Sequence, residues 1–143
     1  MTSQFNDFLI RALRGYARSV THELGLPPER SYVQAEGPAS VFLELDSRLP
    51  AFPDREAALL WDQRSGWAAA VETHSGEDLI VQAWFGTDLL PAPRAVARWV
   101  EALLGGDRHP DAGYGSTGQG HADLARRLVP YAAAPLTALS RTA

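Results

Sequence analysis

Residues 57–85 read AALLWDQRSGWAAAVETHSGEDLIVQAWF. Three strand-like runs lie here, parted by two short polar breaks. Ala57–Asp62 is apolar until its final aspartate, and Asp62-Gln63-Arg64-Ser65-Gly66 has the make-up of a hairpin loop, with Gly66 free to take a positive φ. Trp67–His74 then returns, Ser75-Gly76-Glu77-Asp78 turns again, and Leu79–Phe85 forms a further run. A parallel crossover needs a dozen residues or more, so breaks this short force antiparallel neighbours. Alternation along the last run puts Leu79, Val81, Ala83 and Phe85 on one side and Ile80, Gln82 and Trp84 on the other.

The pattern extends in both directions. In Ser40–Asp46, Val41, Leu43 and Leu45 alternate with Phe42, Glu44 and Asp46, which predicts a half-buried strand ahead of the hairpin. Pro50, Pro53 and Asp54 mark the turn-rich connection between them. Earlier still, Phe5, Phe8, Leu9, Ala12, Leu13, Tyr16, Ala17, Val20 and Leu24 recur at three- and four-residue steps, which predicts a helix over 5–24. Gly25 stands where a left-handed cap belongs, and Pro27-Pro28 block continuation. Gly15, inside this helix, should weaken it by about 1 kcal/mol against alanine and points to a close approach to the sheet. Pro93 suits a first helical turn, and Val96, Trp99, Val100 and Leu103 give the helix 93–104 its apolar face before Gly105-Gly106. The expected fold is α+β: a two-layer sandwich, α-β-β-β-β-α, its four-stranded antiparallel meander carrying an N-terminal and a C-terminal helix on one face.

Residues 1–106 read as that domain, and 107–143 as a Gly/Ala/Pro-rich tail with a short helix over 121–128, stopped by Pro130. Within the tail, Gly113-Tyr114-Gly115-Ser116-Thr117-Gly118-Gln119-Gly120 has G-x-G-x-x-G spacing. A dinucleotide site needs a strand just before the glycines, whereas Asp107–Ala112 reads as loop. A phosphate loop needs lysine where Gln119 stands. The glycines therefore read as a hinge that lets Leu124 and Leu128 reach a surface, on this chain or another.

Composition narrows the function classes. The 143 residues carry a net charge of −4, and all 13 basic residues are arginine. An acidic total argues against non-specific nucleic-acid binding. Arginine without lysine, beside 23 alanines, suggests a high-GC genome. No cysteine is present, which excludes disulfides, thiol nucleophiles and thiolate metal sites. Neither a signal peptide nor a membrane span is read, so the cytoplasm is the expected location.

By Trp61 the residues resemble a family. Pro53-Asp54-Arg55-Glu56, Leu60-Trp61-Asp62, Gly66-Trp67, Leu90-Pro91-Ala92-Pro93 and Val96-Ala97, with Leu24-Gly25-Leu26 earlier, resemble an actinobacterial domain family of unknown function over residues 10–105. These motifs are turns, a tryptophan-bracketed hairpin and a proline helix start. The resemblance implies no activity and transfers no functional residue.

Motifs for chemistry are sparse. His22-Glu23 begins H-E-x-x-H, but Leu26 occupies the second histidine's place. His22, His74, His109 and His121 have no metal-ligand spacing. Glu44, Asp46, Asp62 and Glu72 could pair for acid–base work, or simply solvate a sheet face. Arg11, Arg14 and Arg18, like Arg94 and Arg98, could face phosphate, though a solvated helix face is the simpler account.

Aromatics carry the stronger signal. Helices on one face leave the other bare, yet apolar residues fall on both. Such a face serves self-association or a protein partner, is covered by the tail or the Pro50–Asp54 loop, or opens into a ligand pocket. The candidate surface is Phe42, Trp61, Trp67, Trp84, Tyr16 and Trp99. The reading is a non-catalytic interaction or regulatory module, a homodimer through its sheet, with no catalytic, cofactor or metal residue assigned. The alternatives are a small-molecule sensor with an aromatic pocket between sheet and helices, and an enzyme using the sheet carboxylates.

Overall fold

The computed structural model describes residues 2–34, 38–73, 75, 78–86, 88–107 and 121–133, with the backbone alone at 2–6, 121–123 and 133. Helix α1 is Thr2–Leu24. Strands β1 (Ser31–Gln34), β2 (Ser40–Glu44), β3 (Ala57–Asp62), β4 (Gly66–Glu72) and β5 (Leu79–Trp84) follow, then helices α2 (Pro93–Leu104) and α3 (His121–Ala133). The strands form one antiparallel sheet in the order β1-β2-β3-β4-β5.

The expected four-stranded meander is thus five-stranded. The additional strand, β1, has only four residues and follows a single 3-10 turn, Pro28–Arg30. Four residues give one alternation, too short to stand out against the prolines before it. It forms because β2 offers a free edge, pairing Tyr32 with Phe42 and Val33 with Val41.

Turn chemistry sets the register. Asp62 Oδ1 accepts hydrogen bonds from the backbone N–H groups of Arg64 and Ser65, at 2.8 and 2.7 Å, and Gly66 takes φ +77° to re-enter the sheet. That register puts Trp61 opposite Trp67 on one face. Gly25 ends α1 with φ +74°, as its position predicted.

One core lies on one side of the sheet. It joins Leu13, Tyr16 and Val20 of α1, Val96, Trp99 and Val100 of α2, and Leu124 and Leu128 of α3 to Val41, Leu43, Leu59, Trp61, Trp67 and Val71. All three helices therefore occupy the same face. Leu49 belongs to this core and Phe52 packs against it, so the 49–52 part of the β2–β3 connection lies on the helix side. It does not cover the opposite face.

Two local expectations change. The alternation expected along 79–85 is broken by a β-bulge: Ala69 pairs with Ala83 but Ala70 with Val81, leaving Gln82 unpaired. Val81 therefore sits on the outer face, not with Ala83. Helix α3 also continues past 128, through Pro130, to Ala133. An interior proline costs about 3 kcal/mol. The packing of Tyr131 and Ala132 against the core offsets that cost, Tyr131 standing edge-on to Tyr16 at 5.0 Å between ring centroids.

Gly15 is the seat for this helix. A Cβ there would clash with the Tyr131 carbonyl oxygen. The close approach is made to α3, not to the sheet.

Candidate functional site

The six aromatic candidates divide into two sets. Tyr16, Trp61, Trp67 and Trp99 are buried between sheet and helices. Tyr16 Oη donates to the Pro91 carbonyl and accepts from Trp67 Nε1 at 3.0 Å, while Trp61 Nε1 donates to the Leu89 carbonyl at 2.8 Å. These side chains tie the sheet and α1 to the 86–92 connection. They are part of the packed interior. Burial pushes the Tyr16 hydroxyl far above the usual phenol range, and that of Tyr131 upward as well. Both are neutral phenols at ordinary pH, Tyr16 serving as a donor that fixes Pro91.

Trp99 differs from the other two buried tryptophans. Its Nε1 is buried without a hydrogen-bond partner among the described residues, and its ring meets Phe85 edge-on at 5.4 Å. Trp99→Phe should therefore cost about 1–2 kcal/mol less than Trp67→Phe, because the latter discards a made bond and the former an unmade one. Chemical denaturation of the two variants measures the difference.

Phe42 and Trp84 belong elsewhere. Pairing aligns Tyr32, Phe42, Leu60, Ala68 and Trp84 in one cross-strand row over all five strands, on the face away from the helices. Beside it runs a second row, Glu44, Ala58, Ala70 and Val81. The three alanines of these rows are buried beneath their larger neighbours, while Tyr32 is 62% and Val81 36% exposed. Tyr32 and Leu60 were missed by the sequence reading. Counting outward from the Asp62–Gly66 hairpin would have found Leu60, which stands opposite Ala68.

Charge on this face is of one sign. Glu44, Asp62 and Glu72 are the charged residues at its strand positions, all acidic. Pairing holds Asp62 apart from Glu44. Asp62 is occupied by its hairpin, and Ser40, its partner on β2, is four residues or about 13 Å from Glu44. Asp46 is paired with Arg30. Among the described residues no group of three or more His, Asp or Glu is placed to hold a metal ion. His22 is exposed; His74, His109 and the run 113–120 lie outside the described residues, and of His121 only the backbone is described.

A family model described as a family of unknown function, DUF6292, matches residues 16–102, more than half of the chain. The chain belongs to that family. The DUF6292 match begins inside α1 at Tyr16 and ends in α2, so it takes in the whole sheet and leaves α3 outside. Comparison with curated proteins and with solved structures finds no match.

A cleft of about 640 Å³ adjoins the DUF6292 sheet on the helix side. Loop residues 49–52, Gln82 and Ala83 of β5, Leu103 of α2, and Gly106 and Asp107 line it. Of the helix arginines, for which a solvated face is the simpler account, Arg11, Arg14, Arg94 and Arg98 are exposed and Arg18 half-buried. Among the described residues no helix is long and apolar enough to cross a membrane.

Proposed function

We propose that this DUF6292 protein is a non-catalytic protein-interaction or regulatory module that works through its sheet, with a second copy of the chain among its partners. The observation that carries the reading is the row Tyr32–Phe42–Leu60–Ala68–Trp84, apolar throughout, on the face opposite all three helices. Contiguous apolar surface of this kind is characteristic of docking sites. The all-arginine basic set fits a high-GC, actinobacterial source, and the cytoplasm remains the proposed location. Light scattering should show a mass that rises with concentration. A monomer at every concentration would remove self-association from the reading.

A small-molecule sensor is the second reading, and the 640 Å³ cleft favours it, since ligand sites commonly span about 300–1,000 Å³. Its site would be the cleft rather than the packed aromatics. Trp99 lies one helical turn before Leu103 on α2, so intrinsic tryptophan fluorescence can report filling. A metabolite panel that leaves the emission unchanged would count against a sensor.

A further inference from the structure

The sheet has two edges, and they are built differently. β1 is short and follows Pro27-Pro28. β5 runs six residues, Leu79-Ile80-Val81-Gln82-Ala83-Trp84, without charge, proline or glycine. Natural edges are blunted by brevity, charge or proline, because unpaired backbone groups otherwise template another strand. Among the described residues β5 is blunted by the bulge at Gln82, whose side-chain amide donates to the Ile80 carbonyl at 3.3 Å. Ile80 is 46% exposed on the helix side and Val81 36% on the outer side, so apolar side chains flank the edge above and below.

The ladder fixes which backbone groups are free. Phe85 N–H donates to the Trp67 carbonyl, and Thr73 N–H to the Asp78 carbonyl. Alternation from these two points turns the backbone of Leu79, Val81 and Trp84 away from β4.

We propose that β5 is the self-association surface, pairing antiparallel with β5 of a second copy about a two-fold axis at Val81, so that the two Val81 residues exchange both backbone bonds of the seam while the bulge limits pairing beyond them. This rests on the interaction-module reading and assigns its geometry. Charge selects edge over face. Stacking two outer faces brings the Glu44, Asp62 and Glu72 sets together, acid against acid. An uncharged β5 meets its own copy with no such penalty, and a two-fold contact needs only one self-complementary patch. Edge pairing also sets the Tyr32–Trp84 rows of the two copies on the same side of the joined sheet, as a wider platform for another protein. A six-residue edge buries little surface, so the dimer is dissociable rather than obligate.

Sedimentation velocity over a wide concentration range tests this on the full chain. Val81→Pro removes an N–H that faces away from β4, so the ladder to β4 keeps its bonds. Two donors are lost across the axis, and association should weaken by roughly thirtyfold. Val81→Lys, which leaves the backbone unaltered, should weaken it in the same direction through like charges at the seam, and Phe42→Asp on the outer face should leave it intact. The Val81 amide should gain hydrogen-exchange protection as concentration rises. A dimer indifferent to both Val81 variants but lost in Phe42→Asp would overturn the edge geometry while leaving self-association through the sheet standing. A monomer throughout would overturn both, and a protected Val81 amide in that monomer would place a segment of the same chain on the edge.

Discussion

Tyr16→Phe should lower folding stability by about 2–4 kcal/mol, although it deletes a single oxygen from a ring that stays the same shape. The oxygen holds two bonds at once. Without it, Trp67 Nε1 has no acceptor and the Pro91 carbonyl loses its donor, both in the interior. Each buried group left unsatisfied costs about 1–3 kcal/mol. Pro91 stands two residues before α2, so the loss should also loosen the connection that delivers that helix to the sheet. Urea denaturation measures the change, and a loss below about 0.5 kcal/mol would show that the network contributes nothing net.

The same residue sets an alkaline limit. Its folded pKa lies well above the unfolded value of 10.0, and burial is the main cause. A raised folded pKa gives stability that is whole below the unfolded pKa and declines as pH climbs past it. Wild-type stability should therefore be flat in this respect up to about pH 10, then fall by about 1.4 kcal/mol per pH unit through Tyr16. Tyr131 shifts in the same direction, so part of the slope should survive in Tyr16→Phe. Phenolate absorbance followed alongside unfolding separates the two contributions.

Much of this architecture is legible in the sequence. The hairpin at Asp62–Gly66, the cap at Gly25 and the start at Pro93 are local chemistry, fixed by a few adjacent residues, and each lies where the sequence puts it. What escaped is non-local. β1 is a strand because β2 has an edge to offer, and the bulge at Gln82 shows only in the pairing of β5 with β4. The candidate surface mixed two populations for a similar reason. Trp61 and Trp84 are both strand tryptophans, and only the register through the hairpin and across the bulge separates an inner Trp61, opposite Trp67, from an outer Trp84, opposite Ala68. The row that supports the proposed function is thus a property of pairing, in which Tyr32 and Leu60 gain meaning from partners far away in sequence.

Gly15→Ala brings local propensity and long-range packing into direct conflict. In an isolated helix the change should stabilise by about 1 kcal/mol, since glycine is the poorer helix former. Here the added methyl would clash with the Tyr131 carbonyl oxygen, and because that atom is backbone it cannot rotate aside. Helix α3 must retreat from α1. Overpacking of this kind costs about 1–3 kcal/mol, and a seat lost altogether also forfeits the burial of Leu124 and Leu128, each worth about 1.5–3 kcal/mol. The expected net result is destabilisation by about 2 kcal/mol, opposite in sign to the propensity effect. Hydrogen exchange should locate it: the amides of α3 lose protection first, while those of β3 and β4 change only as global stability falls. A stabilised Gly15→Ala variant would mean that α3 does not hold this seat, and that the fold closes without it.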